Sequence, residues 1–114
     1  MTLPQNIPTA SMALYDPDRK GIFIPREQLP AQRVAVGDRY SVRPGRQEFF
    51  TLTLSRDPRG EFIVDRQGLL IRRTRRVDLY LGGIFDEFVF EFPEDRPDIL
   101  KVRPLDIVIN GSPL

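Results

Sequence analysis

The densest group of residues capable of chemistry is a run of arginines in the second half of the chain. Four guanidinium groups occupy Arg72, Arg73, Arg75 and Arg76, separated only by Thr74. Like charges this close repel each other, and a phosphate backbone would relieve that repulsion while releasing its counterions. On a helix, the first, third and fourth of these arginines would share a face. Three interpretations stay open: contact with nucleic acid, pairing with acidic residues of this molecule or a partner, and plain solvation.

The charge is nearly balanced overall but unevenly distributed. Of 17 basic and 16 acidic residues, residues 1–76 hold 14 and 8, and residues 77–114 hold the rest. The basic residues are almost all arginine, whose planar fork suits phosphates and guanine edges. The net charge of +1 is small for a non-specific DNA binder. The asymmetry therefore fits either a polyanion-binding face or pairing within one small fold.

The residue types that are missing exclude whole classes of chemistry. The chain has no cysteine and no histidine, so disulfides, thiolate nucleophiles, cysteine-ligated metals and Ser-His-Asp triads are ruled out. The glycines form neither a P-loop nor a dinucleotide-binding pattern. An acidic group lacks EF-hand spacing, and we interpret it as solvated turn residues; its members are Asp86, Glu87, Glu91, Glu94, Asp95 and Asp98. We predict no catalytic residues, no metal and no cofactor, and hence no enzyme.

The elements that must position the arginines are mostly strands. Short runs rich in β-formers alternate with Pro, Gly, Asn and Asp turns. The predicted strands are residues 21–25, 39–43, 48–54, 61–65, 68–72, 87–92, 99–102 and 106–109. Helical spacing predicts one turn over residues 26–33 and a short helix over residues 73–81, stopped by Gly82. The fold class is therefore mainly β with one or two short helical turns.

The length and the ends define a single small domain. A chain of 114 residues fits one domain. We predict an N-terminal arm over residues 1–15, one barrel domain over residues 16–104, and a C-terminal strand and tail over residues 105–114. No apolar run spans a bilayer and no signal peptide is recognisable. A cytoplasmic protein without membrane association is the expectation.

An internal repeat runs through the chain. Residues 18–26 (DRKGIFIPR) align with residues 65–73 (DRQGLLIRR), with five identities at an offset of 47. A second match continues at an offset of 48, between residues 36–42 and 84–90. Half-repeats of residues 16–55 and 62–104 are too small to fold separately. They must share one core, which predicts a pseudo-two-fold β-barrel.

The half-repeat resembles the AbrB/MazE/MraZ group of swapped-hairpin DNA-binding domains. Residues 18–26 fit the first element of that pattern, with Ile24 and Pro25 at its Ile-Pro position, and Gly37 and Asp38 fit the second. The resemblance covers about residues 16–104. It implies a fused swapped-hairpin barrel, DNA binding and a role in transcription regulation.

The sequence departs from the family pattern at the residue after each repeat glycine. The family has arginine there, often facing DNA, whereas this chain has Ile22 and Leu69. Other basic residues of the two halves would have to replace it. The candidate nucleic-acid-binding residues are Arg19, Lys20, Arg26, Arg33, Arg66, Arg72, Arg73, Arg75 and Arg76.

Two functions follow as hypotheses. The first is a non-enzymatic DNA-binding transcriptional regulator of AbrB-like type, with the Arg-rich loops of both halves on one face contacting phosphates and base edges. The second is a non-catalytic protein-interaction or assembly module, in which basic and acidic regions make head-to-tail contacts between subunits. The partners are then double-stranded DNA, or a second copy of the chain or another protein.

Overall fold

A computed structural model describes residues 11–44, 48–83 and 85–105. Within these residues the chain forms eight strands, one α-helix and one 3-10 turn. The elements are β1 (Ser11–Asp16), β2 (Gly21–Pro25), the 3-10 turn (Arg26–Gln28), β3 (Arg39–Val42), β4 (Leu52–Arg56), β5 (Phe62–Ile63), β6 (Gly68–Arg72), α1 (Arg75–Leu81), β7 (Glu87–Glu91) and β8 (Ile99–Pro104).

The strands curl into a nearly closed antiparallel barrel. Their order is β5-β3-β4-β8-β7-β1-β2-β6, and every pairing in it is antiparallel. The two outermost strands meet beside a single bridge between Val64 and Leu69. The expectation of a small, mainly β barrel with few helical turns is confirmed.

The strand pairing has the two-fold relation that the repeat predicts. Phe23 lies opposite Leu70 at the centre of the β2–β6 pair, and these positions are 47 apart. Thr53 lies opposite Lys101 at the centre of the β4–β8 pair, and these positions are 48 apart. Residues 47 and 48 positions apart, the two offsets of the repeat, therefore face each other, so a pseudo-two-fold axis passes through both centres, across the barrel.

Helix α1 covers one end of the barrel. The Oγ1 of Thr74 accepts a hydrogen bond from the Val77 amide at 3.2 Å, which caps the helix start. Gly82, with a φ of +80°, ends it in the left-handed conformation. Val77 and Leu81 are buried in the core. The helix predicted over residues 73–81 thus begins two residues later than expected.

The opposite end is covered by the corresponding connection of the first half. This connection joins β2 to β3 and contains the 3-10 turn Arg26–Gln28. Leu29 and Val34 of this connection enter the core. We call the two ends of the barrel the α1 end, which also carries the β1–β2 turn (residues 17–20), and the 3-10 end, which also carries the β5–β6 turn (residues 65–67).

Two sequence expectations differ from the structure. Residues 11–16 belong to β1 and pair with both β2 and β7, so the predicted arm gives way to a strand of the barrel from Ser11 onward. The strand expected over residues 48–54 begins only at Leu52, because Phe49 and Phe50 form a turn in which Phe50 has a φ of +52°. The strand expected over residues 106–109 lies outside the described residues.

Candidate nucleic-acid interface

The first basic cluster forms where the β1–β2 turn meets the end of β6. The Arg73 amide donates a hydrogen bond to the Lys20 carbonyl oxygen at 2.9 Å, which holds the turn beside the arginine run. Asp16 shapes the turn, because its Oδ1 accepts from the Asp18 and Arg19 amides at 2.9 and 3.2 Å. This places Lys20 next to the side chains that follow β6.

Helix α1 adds two arginines to this cluster. Arg75 and Arg76 occupy its first turn and are exposed. Arg72 is the last residue of β6 and not a helical residue, so the prediction that it shares a helix face with these two is wrong. Strand β6 ends at Arg72 because Thr74, two residues later, caps the start of helix α1. Arg72 instead stacks over the Phe62 ring at 5.8 Å and donates weakly to the Glu61 carbonyl oxygen at 3.4 Å.

The second basic cluster lies at the other end of the same β2–β6 pair. The Arg26 amide donates to the Gln67 carbonyl oxygen at 2.9 Å, just as the Arg73 amide does to Lys20. Arg26 and Arg66 are exposed there, beside an Asp65-capped turn. The pseudo-two-fold axis thus relates Arg26 to Arg73. Gly21 and Pro25 mark the two ends of β2, ~13 Å apart at ~3.3 Å per residue.

Arg19 links the two clusters across the outer face of the β2–β6 pair. Its guanidinium carbon lies 4.4 Å from the centre of the Phe23 ring, in cation–π contact. Its Nη2 donates to Gln67 Oε1 at 3.1 Å, and its Nε lies 3.4 Å from Asp16 Oδ2. The Arg19 side chain therefore covers Phe23, at the centre of the β2–β6 pair where the pseudo-two-fold axis passes.

Arg33 and Arg73, like Arg19 and Arg72, make contacts within the protein. Arg33 donates from Nη1 to the carbonyl oxygens of Phe92 and Pro93 at 2.9 and 3.0 Å, so it ties the first half to the β7–β8 connection. Arg73 forms a salt bridge with Asp78 at 3.1 Å. That hydrogen bond raises the pKa of Arg73. Both guanidinium groups are therefore anchored by contacts within the protein.

Five of the predicted residues remain exposed and unpaired within the described parts of the chain. No acidic oxygen among residues 11–44, 48–83 and 85–105 lies within 4.0 Å of their charged groups. They are Lys20, Arg26, Arg66, Arg75 and Arg76. Among the described residues, no arginine of the run forms a salt bridge with the acidic group of residues 86–98. Arg73 pairs with Asp78 instead.

Sequence reasoning missed Gln67, Phe23 and Asp78 as parts of this surface. Gln67 is 48 positions from Arg19, and only the strand pairing brings the two together. The repeat did point to Gln67, because it aligns Gln67 with Lys20. The carbonyl oxygens of these two residues accept the equivalent hydrogen bonds, from Arg26 and from Arg73.

Neither a group of metal-ligating side chains nor a membrane-spanning helix is found among the described residues. No group of three or more acidic side chains among them is arranged to hold a metal ion. In the same parts of the chain, no helix has the length and apolar character needed to cross a bilayer.

Comparison with known proteins gives no family for this chain. No family model matches it, and searches of curated proteins and of solved structures found no significant match. The resemblance to the AbrB/MazE/MraZ group therefore stays a prediction.

Proposed function

We propose that this chain is a non-enzymatic DNA-binding protein that contacts duplex phosphates through the outer face of the β2–β6 pair. The observation that carries the proposal is that a basic cluster lies at each end of β2–β6, on chain segments that the pseudo-two-fold axis relates. A surface with this symmetry suits the two-fold symmetry of a duplex, in which equivalent phosphates lie on either side of a dyad.

The contacts come from side chains that form no salt bridge with the acidic residues of the described segments. Lys20, Arg75 and Arg76 supply them at the α1 end, and Arg26 and Arg66 at the 3-10 end. Five neutralised phosphates correspond to a slope of log K against log salt of about −4.5, or ~500-fold weaker binding between ~50 and ~200 mM salt. The proposal includes a role in transcription regulation, which the AbrB-like resemblance implies.

The test is fluorescence anisotropy with a labelled random-sequence duplex across a salt series. The variant Arg26→Glu/Arg66→Glu removes one cluster, so we expect a slope shallower by ~2 and weaker binding at every salt concentration. The control is Arg59→Glu/Arg96→Glu, which makes the same change of charge at exposed positions in the β4–β5 and β7–β8 connections. Equal effects of the two variants, or no binding by the unmodified protein at ~50 mM salt, would refute the proposal.

A further inference from the structure

A groove with an acidic rim opens at the 3-10 end of the barrel. It has a volume of about 590 Å³ and lies between the β2–β3 connection and the end of β7. Leu29, Pro30 and Phe92 are among its apolar lining residues, and carboxylates of Glu27, Glu91 and Glu94 line it as well.

The carboxylates of the groove have no cation to pair with in the described residues. None of the salt bridges within residues 11–44, 48–83 and 85–105 involves Glu27, Glu91 or Glu94. Arg33 also lines the groove, but its Nη1 is held by the carbonyl oxygens of Phe92 and Pro93. The lining charges therefore leave an excess of two negative charges, which favours a cationic occupant.

The outer face of α1 has the complementary chemistry. Arg75 and Arg76 lie four and three positions before Leu79, so the three side chains share one face of the helix. Leu79 is 73% exposed, so its side chain is accessible for an apolar contact. This face thus presents one apolar residue between two guanidinium groups.

The two surfaces lie at opposite ends of the barrel. Helix α1 follows Arg72, which pairs with Gly21, whereas the 3-10 turn follows Pro25, which pairs with Gly68 at the other end of β2–β6. A molecule cannot fill its own groove with its own helix, because the barrel separates them. A second copy can.

We propose that the groove binds helix α1 of a second copy of this chain, so that copies associate head to tail along the barrel. Leu79 enters between Pro30 and Phe92, and the guanidinium groups of Arg75 and Arg76 pair with the groove carboxylates. Because the two surfaces differ, the contact is heterologous and leaves a free helix at one end and a free groove at the other. Assembly therefore continues beyond a dimer or closes into a ring.

The contact is weak, and it depends on salt. Helix α1 has seven residues and is ~10 Å long, so the interface falls below the ~1,000 Å² of a stable complex. The charge pairs lie near the surface and are screened as ionic strength rises. Arg75 and Arg76 also belong to the DNA surface, so duplex DNA competes with self-association for the helix, while the groove takes no part in DNA binding.

A charge-exchange experiment by sedimentation velocity tests the proposal. One variant carries Glu27→Arg/Glu94→Arg and has a basic groove, and the other carries Arg75→Glu/Arg76→Glu and has an acidic helix. We expect the unmodified protein to sediment faster as concentration rises to ~1 mM at low salt, in the range of weak interfaces. Each variant alone should stay monomeric, because its helix and groove carry like charges.

An equal mixture of the two variants is the decisive sample. The native helix of the first fits the native groove of the second, and the reversed helix fits the reversed groove, so association should return. Circular dichroism of each variant establishes that it is folded. A monomeric unmodified protein, a closed dimer, or a mixture that fails to associate would each overturn the proposal. The groove variant should still bind DNA, so its failure to associate is distinguishable from a failure of the DNA surface.

Discussion

Gly68 holds the turn that carries Arg66, and replacing it with alanine tests how the β2–β6 pair is built. Its φ is +144°, in a region that side chains rarely adopt, and a methyl group there would overlap the carbonyl oxygen of Ile24 and lie 2.9 Å from the Arg26 amide nitrogen. Both neighbours are backbone atoms, one in the paired strand β2 and one in the residue that follows it. The substitution therefore requires β2 and β6 to move apart where the second basic cluster forms.

Gly37 provides a matched control for the backbone conformation alone. Its φ is +100°, yet no atom lies within 4 Å of the position that a methyl group would occupy. The strained backbone costs ~1–2 kcal/mol at either position. The overlap at position 68 adds ~1–3 kcal/mol, so we expect Gly68→Ala to lower the free energy of unfolding by about 4 kcal/mol and Gly37→Ala by about 1.5 kcal/mol. The gain from a stiffer unfolded chain is the same for both and cancels in the comparison.

Urea unfolding followed by far-ultraviolet circular dichroism measures the difference. With a slope of ~2 kcal/mol per molar, the midpoint should fall by ~2 M for Gly68→Ala and by less than ~1 M for Gly37→Ala. A loss of about 4 kcal/mol is a large part of the ~5–15 kcal/mol that stabilises a domain of this size. Equal midpoints for the two variants would refute the argument that close backbone approach fixes the β2–β6 register.

Two further predictions concern single polar groups. The Tyr40 hydroxyl is buried without a hydrogen-bond partner among the described residues. Burial raises the pKa of Tyr40, and the nearby Arg56 guanidinium lowers it by less. Tyr40→Phe should therefore leave the urea midpoint unchanged or raise it, whereas a loss above ~2 kcal/mol would reveal a hydrogen bond from Arg56 to that hydroxyl. The hydrogen bond from Lys101 lowers the pKa of Glu48, so this pair stabilises the fold at neutral pH and the contribution is lost as the pH falls through the folded-state pKa. Glu48→Gln should flatten the decline of the urea midpoint below about pH 5, by less than ~1 kcal/mol because the carboxylate side chain is 54% exposed; an unchanged decline would contradict this.

Much of the barrel could be predicted from the sequence because its pattern is local. Phe88 and Phe90 alternate with Glu87, Val89 and Glu91 in β7 and are buried as the period of two requires. Helix α1 carried both of its end signals, Thr74 before it and Gly82 after it. The repeat predicted two similar halves around one core, whereas the pairing of the equivalent strands, β2 with β6 and β4 with β8, is seen only in the structure.

Strand β1 could not be predicted, because its own residues give little sign of burial. Only Ala13 is fully buried, while Met12 and Leu14 are exposed to 39% and 56%. The strand forms because β2 and β7 pair with it on both sides, which is a property of the assembled barrel. The salt bridge between Arg73 and Asp78 was missed for a related reason, since it depends on where the helix begins.

The two residues after the repeat glycines limit where the proposed DNA contacts can come from. Ile22 and Leu69 are 3% and 0% exposed and belong to the core. An arginine at either position would point into the barrel, so in this fold the position that often carries the DNA contact in the AbrB/MazE/MraZ group cannot reach a phosphate. The basic side chains must instead come from the segments where β2 and β6 begin and end. Those segments hold Lys20, Arg26 and Arg66, and the two-fold relation repeats one backbone hydrogen bond, from Arg26 to Gln67 and from Arg73 to Lys20, at both ends of the β2–β6 pair. The apolar substitutions that weaken the family resemblance therefore leave the proposed DNA surface intact, because that surface lies in the turns.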